Sequence, residues 1–146
     1  MEKSVILKEM FLNEFNLEEQ DIRTYSPLTL AYIGDAIFEL VVRTVLIERK
    51  NTQAEKLHKA ATKVVKAETQ ALMIEALKED LTEEELAVYK RGRNAKAVTR
   101  AKNATMSEYR RATGFEALMG YLYLKGDMER MMKLIHLGVE RAEVTL

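Results

Sequence analysis

The fold of this chain is decided by residues 28–49, which read LTLAYIGDAIFELVVRTVLIER. Apolar residues occupy nearly every face of a helix built on this stretch, and a helix that is hydrophobic all round belongs in the centre of a domain. Ser26 and Pro27 come directly before it, in the order of an N-cap followed by proline at the first helical position. The stretch therefore predicts a long, buried central helix.

Helical spacing of apolar residues continues on both sides of this stretch. Thr82 and Glu85 form a capping-box pattern that opens one helix, and Ser107 is placed to cap another. There is no β-alternation of useful length, no repeat and no interdomain linker. The prediction is an all-α protein, a compact helical bundle with residues 1–146 as one domain. Besides the central helix, the predicted helices cover about residues 6–15, 52–78, 82 onward, 107–124 and 128–143.

Composition limits the class of protein. With 146 residues, of which 47% are hydrophobic and 32% charged, the chain has the profile of a globular domain. It has no cysteine, which excludes a disulfide framework, thiolate zinc sites and cysteine nucleophiles. No apolar run approaches the roughly 18 residues of a membrane span, and charges interrupt the N-terminal apolar positions where a secretory signal would be unbroken. A cytoplasmic protein with no membrane partner is expected.

The net charge is zero, but the charges are distributed unevenly. Residues 90–111 contain eight basic residues and one acid, Glu108, which gives this segment a charge of +7 and leaves −7 on the rest of the chain. A phosphate backbone responds to the local field of such a segment and not to the net charge. Residues 92–106 within it show little apolar periodicity, so we expect an exposed basic loop there.

Two carboxylates interrupt otherwise apolar helical segments, Asp35 and Glu116. Gly34 precedes the first, and Gly114 and Gly120 flank the second. Since a glycine within a helix costs roughly 1 kcal/mol relative to alanine, the three predict close approach of another backbone or of a ligand. If the two segments cross there, the carboxylates face each other and hold a proton or a cation between them. Magnesium fits such a place, because it binds through one or two carboxylates and keeps several waters.

An alternative for each acid is an ion pair with a lysine or arginine of a neighbouring helix, since most buried acids are structural. Glu39 illustrates this, because Arg43 lies four residues further on and an i,i+4 pair accounts for it. From the residues alone, the structural and the metal-binding interpretations of Asp35 and Glu116 both stay open.

Three motifs recur in order along the chain: LAYIGDAIFELVVR at residues 30–43, KRGRNAK at 90–96 and FEALMGYLYL at 115–124. Together they resemble the catalytic domain of the ribonuclease III family, namely its signature helix, its Gly-Arg-Gly segment and its second acidic helix. The resemblance covers about residues 28–124. With a chain this short and no double-stranded-RNA-binding domain appended, it resembles the Mini-ribonuclease III branch. A ribonuclease III-like all-α fold is implied.

The resemblance also implies roles for individual residues. Asp35 matches the metal-binding, catalytic aspartate of the family and Glu116 its metal-bridging glutamate, with Mg²⁺ as the cofactor. Tyr32 matches an aromatic that reaches into the partner subunit, which implies a homodimer. The larger enzymes carry further acids where this chain has Leu28, Ala31 and Thr113. A family acid also falls near Glu55, to which no role is assigned.

The implied activity is magnesium-dependent hydrolysis of double-stranded RNA, leaving 5′-phosphate and 3′-hydroxyl ends. The Mini-ribonuclease III resemblance further implies that the substrate is the precursor of the large-subunit (23S) ribosomal RNA, processed at its 5′ and 3′ ends. Duplex RNA is read mainly by shape and phosphates, so basic side chains are expected to contact it. The candidates for RNA binding are Arg91, Arg93, Lys96, Arg100 and Lys102.

Three rival interpretations remain open on the sequence. A catalytically silent ribonuclease III-like module would bind RNA or the ribosome without cutting, although it would not need paired acids in apolar helices. An interaction bundle would pair these acids with internal lysines and use the basic loop to dock a protein. His58 and His136, the two histidines, would be the acid and base of a metal-free ribonuclease.

Overall fold

The computed structural model of the protein describes residues 6–95 and 105–146. These residues contain seven α-helices and no strand, so the predicted all-α class is confirmed. Two short 3₁₀ turns, Ile22–Thr24 and Lys78–Asp80, lie between helices. In chain order the helices are α1 (Ile6–Glu14), α2 (Pro27–Arg49), α3 (Ala54–Val65), α4 (Ala67–Leu77), α5 (Glu83–Asn94), α6 (Met106–Lys125) and α7 (Met128–Arg141).

Helix α2 is the predicted central helix and begins as predicted. The Ser26 hydroxyl accepts a hydrogen bond from the Thr29 backbone N–H at 3.1 Å, and Pro27 occupies the first helical position. Its side chains Leu30, Phe38 and Val42 are completely buried. Burial among neighbouring helices therefore explains the apolar residues on most of α2, whereas Leu28, Tyr32, Leu40 and Ile47 are exposed, so the prediction of a fully buried helix is wrong on that side.

Helix α6 is the second central element, and it packs against α2, α4, α5 and α7. Phe115 of α6 meets Phe38 of α2 edge to face, with ring centroids 5.0 Å apart. Such aromatic pairs add roughly 0.5–1.5 kcal/mol beyond the area that they bury. The core of the molecule therefore lies where α2 and α6 cross.

The start of α6 differs from the prediction. Thr105, and not Ser107, is the N-cap: its hydroxyl accepts from the Glu108 N–H at 3.0 Å, and the Glu108 carboxylate accepts from the Thr105 N–H at 3.0 Å. The physical reason is that Thr105 has a glutamate three residues later, whereas Ser107 has an arginine there, so only Thr105 can form a capping box.

The single helix predicted over residues 52–78 is wrong, because the structure has two helices, α3 and α4. The chain turns at Lys66, whose backbone is extended with ψ 154°. The carbonyl groups freed at the end of α3 are taken by side chains of α4: Thr69 donates to the Lys63 oxygen at 2.7 Å and Gln70 to the Val65 oxygen at 2.8 Å. Side-chain donors thus replace the helical hydrogen bonds at the break.

Helix α5 starts at the predicted capping box of Thr82 and Glu85, which is confirmed. Glu85 is also buried and accepts from Arg130 of α7 at 2.8 Å, which fixes α7 to the start of α5. The last helix ends at Arg141 and not at the predicted residue 143, because Glu143 has a positive φ of 55°, which a right-handed helix does not allow.

The expected basic loop over residues 92–106 is wrong at both of its ends. Residues 92–94 complete α5 and Met106 begins α6, whereas residues 96–104 lie outside the described part of the chain. No helix within residues 6–95 and 105–146 combines the length and the apolar character that crossing a membrane requires.

Candidate metal centre

Helices α2 and α6 cross with their backbones in contact at two glycines. A Cβ on Gly34 would lie 1.7 Å from the carbonyl oxygen of Glu116, and a Cβ on Gly120 would lie 1.9 Å from that of Leu30. Neither position tolerates any side chain, so the predicted reason for these glycines, close approach of another backbone, is confirmed. Gly114 serves a different neighbour, since a Cβ there would lie 2.6 Å from the ring of Tyr89 in α5.

The crossing brings Asp35 and Glu116 together. Their side chains contact each other, as the sequence predicts, with Asp35 exposed at the rim and Glu116 half-buried beneath it. Burial and the adjacent Asp35 charge raise the pKa of Glu116 to about 8. The pair therefore retains a proton at neutral pH, and a divalent cation can take the place of that proton because it neutralises the same charge.

Gln70 of α4 completes this group and was missed by the sequence reasoning. It is buried, and its amide nitrogen donates to Glu116 Oε2 at 3.3 Å as well as to the Val65 oxygen. Its amide oxygen has no hydrogen-bond partner in the part of the chain that the structure describes. Gln70 is a polar residue among the apolar residues of 64–74, which could have indicated a functional role. Because the break at Lys66 was not predicted, the direction of its side chain could not be inferred.

These residues fit a magnesium ion by the chemistry of their donors. Two carboxylates and an unpartnered amide oxygen are hard oxygen ligands of the kind that Mg²⁺ prefers, and this ion normally keeps several waters. Among the described residues no cluster of three or more acidic, histidine or cysteine side chains could hold a metal. The candidate ligands are therefore the two carboxylates, with Gln70 beside them.

Comparison with known proteins decides the family. The model of the ribonuclease III domain matches residues 28–127. The chain is 44% identical to Mini-ribonuclease 3 of Clostridium tetani over 94% of its own length and 91% of that protein, and 46% identical to Mini-ribonuclease 3 of Enterococcus faecalis over 86% and 97%. The chain belongs to the ribonuclease III family. The predicted family is confirmed, and with it the enzyme class, an endoribonuclease of the ribonuclease III type.

The fold agrees with a solved structure as well. A crystal structure of a protein from Fusobacterium nucleatum superposes with a TM-score of 0.74 at 36% identity, covering 83% of this chain and 97% of that one. The compact helical arrangement around α2 and α6 is therefore that of a ribonuclease III-type domain.

The structure also shows the three positions at which the larger ribonuclease III enzymes carry further acids. Ala31 is buried and Leu28 is exposed at the start of α2. Thr113 is buried, and its hydroxyl donates to the Tyr109 backbone oxygen of its own helix at 3.0 Å. None of the three side chains is an acid, so none adds a carboxylate to the pair.

The other acids and histidines singled out in the sequence lie apart from the pair. Glu39 forms the expected i,i+4 ion pair with Arg43, and exposed Glu55 lies 3.8 Å from Lys59. His58 lines a groove between α2 and α3, and exposed His136 of α7 lies 4.0 Å from Glu140. The polar contacts that shift the pKa of Glu116 come from Asp35 and Gln70 and include neither histidine.

The candidates for RNA and partner contacts are placed as far as the structure describes them. Arg91 is exposed at the end of α5, and Arg93 lies half-buried with its guanidinium 5.6 Å from the ring centroid of Tyr89. Tyr32 is 81% exposed, more than any other large apolar side chain in the described part of the chain. The remaining three RNA-binding candidates, Lys96, Arg100 and Lys102, lie outside the described residues.

Proposed function

We propose that this chain is a homodimeric, magnesium-dependent endoribonuclease that cleaves double-stranded RNA with Asp35 and Glu116 as its catalytic and metal-binding carboxylates. One observation carries the proposal. The backbones of α2 and α6 interlock at Gly34 and Gly120, and this crossing holds two carboxylates against each other. The groups that shift the pKa of Glu116 include no basic side chain. A structural ion pair would place a lysine or arginine there.

Each residue of the centre has a distinct task. Asp35, exposed at the rim, and half-buried Glu116 would hold the ion together, with Asp35 on the side open to the substrate. Gln70 donates to Glu116 at 3.3 Å and so fixes the direction of its carboxylate. A magnesium ion held by these carboxylates would supply an activated water and would neutralise charge that develops on the phosphate; the water adds to phosphorus and the P–O3′ bond breaks, which leaves 5′-phosphate and 3′-hydroxyl ends. No side chain needs to form a covalent intermediate.

The exposed face of α2 supports a homodimer. Four large apolar side chains on one side of this helix are exposed: Leu28, Tyr32, Leu40 and Ile47. A second copy related by a two-fold axis would cover them, since such an interface pairs a patch with itself. An apolar groove of about 220 Å³ between α2 and α3, lined by Leu46 and Leu57, lies at the far end of the same helix and offers a place for the Tyr32 ring of the other copy.

Duplex RNA is the substrate that the charges favour. Two centres across a two-fold axis would each cut one strand of an A-form duplex, which proteins read by its phosphates and shape. The phosphate contacts that we propose are Arg91, Arg93, Lys96, Arg100 and Lys102. We further propose that the whole chain acts as one domain in the cytoplasm and that its substrate is the 23S ribosomal RNA precursor, cut at its 5′ and 3′ ends. The similarity to Mini-ribonuclease 3 chains supports this choice.

The decisive experiment compares the wild-type protein with Asp35→Asn and Glu116→Gln on a long RNA duplex with magnesium. We expect cleavage by the wild type, a loss of at least roughly 10³-fold in rate for each variant, and unchanged duplex affinity. Glu48→Gln is the matched control, because Glu48 is an exposed acid on the same helix α2. Cleavage that persists in Asp35→Asn or in excess chelator would contradict the assignment. Tight duplex binding without wild-type cleavage would favour a catalytically silent RNA-binding module.

A further inference from the structure

A polar cavity lies outside the carboxylate centre, where α4, α5 and α6 meet. It has a volume of about 560 Å³. We call it the basic cavity and define it by six of its lining residues: Glu75, Lys78, Arg93, Ser107, Arg110 and Arg111. Of these, only Arg93 is one of the RNA-binding candidates named from the sequence, although Arg110 and Arg111 belong to the same basic segment, residues 90–111.

The basic cavity carries an excess of positive charge. Four cations and one carboxylate line it, which leaves a charge of +3. Glu75 is shared between Lys78 at 2.7 Å and Arg111 at 3.9 Å. Within residues 6–95 and 105–146, Arg93 and Arg110 have no carboxylate within 4.0 Å. Cations gathered without counter-charges repel one another, so this arrangement favours an anionic ligand.

The start of α6 adds to this field. The cavity is lined by Met106 and Ser107, the first two residues of a 20-residue helix. A helix N-terminus carries a partial positive charge, and its first N–H groups point toward an anion placed there. In the capping box the Glu108 carboxylate accepts from the Thr105 N–H and the Thr105 hydroxyl from the Glu108 N–H, so the acid nearest to the helix start is already engaged.

Tyr89 gives an independent indication of a ligand. It is completely buried, and its hydroxyl has no acceptor among the described residues, while the side chain of Arg93, which lines the cavity, lies beside it. Lys78 Nζ lies 5.7 Å and the Arg93 guanidinium 5.6 Å from its ring centroid, so the ring lies beneath two of the cavity's cations. Burial raises the pKa of this hydroxyl, which therefore stays a donor at all physiological pH values. Buried hydroxyls are normally paired, and an anion in the basic cavity would supply the acceptor.

The basic cavity lies beside the carboxylate pair along the groove between α4 and α6. Gln70 of α4 contacts Glu116 of α6, and five residues further along α4, Glu75 contacts Arg111, five residues back along α6. Five residues of α-helix correspond to about 7.5 Å. A polyanion that places one phosphate at the carboxylates can therefore reach the cavity with another.

We infer that the basic cavity is a phosphate-binding subsite that receives a backbone phosphate of the duplex RNA away from the bond being cut. This inference rests on the proposed function. Lys78 and Arg110 supply the charge, the Tyr89 hydroxyl donates from beneath, and the start of α6 orients the oxygens. Its effect is on binding and on the register of the duplex, because none of these groups touches the carboxylate pair.

The test is the double variant Lys78→Gln with Arg110→Gln, assayed on the RNA duplex used for the wild type. We expect KM to rise by roughly tenfold and the slope of log affinity against log salt to fall by roughly one, with kcat within about twofold. The pair Lys56→Gln with Lys133→Gln is the matched control, since it removes two exposed lysines of α3 and α7. Lys78→Arg with Arg110→Lys keeps both charges, and we expect it to restore the wild-type KM.

A second experiment tests whether the basic cavity binds a phosphate of the RNA backbone or a free phosphate anion. Inorganic pyrophosphate is titrated into the protein while the NMR signals of Ser107 and of the Arg93 side chain are followed. A saturable shift that the double variant loses, together with its raised KM, supports the inference. If the shift occurs but the duplex KM and salt slope of the double variant equal those of the control, the cavity takes a free anion and the RNA assignment is overturned. If the wild type does not cleave the duplex, the proposed function is wrong. The inference about the cavity then fails as well, whatever the variants show.

Discussion

At the scale of single residues, two features of its environment make the negative charge of Glu116 unfavourable. Burial and the neighbouring Asp35 both favour its protonated form and raise its pKa from 4.5 to about 8. The folded protein therefore binds this proton more tightly than the unfolded chain does. Its contribution to stability is complete below pH 4.5 and is lost as the pH rises to about 8.

The first prediction follows from this shift. In excess chelator, we expect the Tm of the wild type to fall by roughly 5–10 °C between pH 5 and pH 8.5, because Glu116 must ionise in the folded state. Glu116→Gln should remove most of that fall. Thermal melts by circular dichroism at several pH values measure both. A wild-type fall that Glu116→Gln leaves intact, or that Glu48→Gln removes equally, would show that other groups cause it.

The second prediction concerns Tyr89: removing its hydroxyl should stabilise the free protein but weaken its binding of the duplex. An unpaired buried hydroxyl costs about 1–3 kcal/mol, so Tyr89→Phe should raise the free energy of unfolding of the free protein by about 1 kcal/mol. The same change removes a donor to the bound phosphate, so duplex KM should rise by a few-fold. Urea unfolding and steady-state kinetics measure the two effects. A destabilised variant would mean that the hydroxyl is already paired in the free protein.

At the scale of helices, the crossing of α2 and α6 sets the geometry of the centre. Alanine at position 34 would put a Cβ 1.7 Å from the Glu116 carbonyl oxygen, so the two helices would have to separate. We predict that Gly34→Ala lowers the free energy of unfolding by about 3 kcal/mol or more and abolishes cleavage. Denaturant titration and the duplex assay measure these effects.

Gly138→Ala is the control for that prediction. A Cβ there would lie 3.3 Å from the flexible ends of Leu77 and Met73, which can move, and alanine favours a helix over glycine. We expect stability within about 1 kcal/mol of the wild type and full activity. Equal losses in Gly34→Ala and Gly138→Ala would mean that any helical glycine is sensitive and that the crossing has no special role.

Much of the helix pattern could be predicted from the sequence, because its signals are local. The Ser26–Pro27 start of α2 and the capping box at Thr82 depend on residues within one turn of each other. The break at Lys66 could not be predicted, since Lys66 is neither glycine nor proline and the apolar spacing continues across it. What stabilises the break is the pair of α4 donors that take the last carbonyls of α3, and such pairing is visible only in three dimensions.

The same distinction holds for the candidate site. Asp35 and Glu116 could be singled out because charged residues in apolar helices with nearby glycines are unusual. Gln70 could not, since its role depends on the direction in which α4 leaves the break. The basic cavity was missed for a similar reason: Lys78 and Arg110 are 32 positions apart in the sequence, and only the packing of α4 against α6 places them together.

At the scale of the whole molecule, the exposed apolar side of α2 provides the fourth prediction. We expect Tyr32→Glu to convert a dimer into a monomer, because it places a charge in the middle of a surface that two copies would bury. Cleavage should fall by at least roughly tenfold, since one duplex then meets one centre at a time. Light scattering after size-exclusion chromatography measures the mass.

Met132→Glu is the control for the assembly. Met132 is an exposed apolar residue of α7, 44% exposed, and lies outside the α2 surface. This variant should keep the mass and activity of the wild type. If the wild type itself is a monomer at micromolar concentration, or if Tyr32→Glu remains a dimer, the proposed interface on α2 is wrong.

The interlocked glycines also determine how this enzyme can be regulated. A helix that slides past its neighbour moves by about one turn, 5.4 Å, and such ratchets are a common switching device. Here each backbone blocks the other, since Gly34 sits against the Glu116 carbonyl and Gly120 against that of Leu30. Sliding by one turn is therefore closed to this pair, and the backbones that carry the two carboxylates are held in a fixed register. We therefore expect an inhibitor to act at the proposed metal centre, the proposed RNA-binding surface or the proposed dimer interface, and not by shifting α2 along α6.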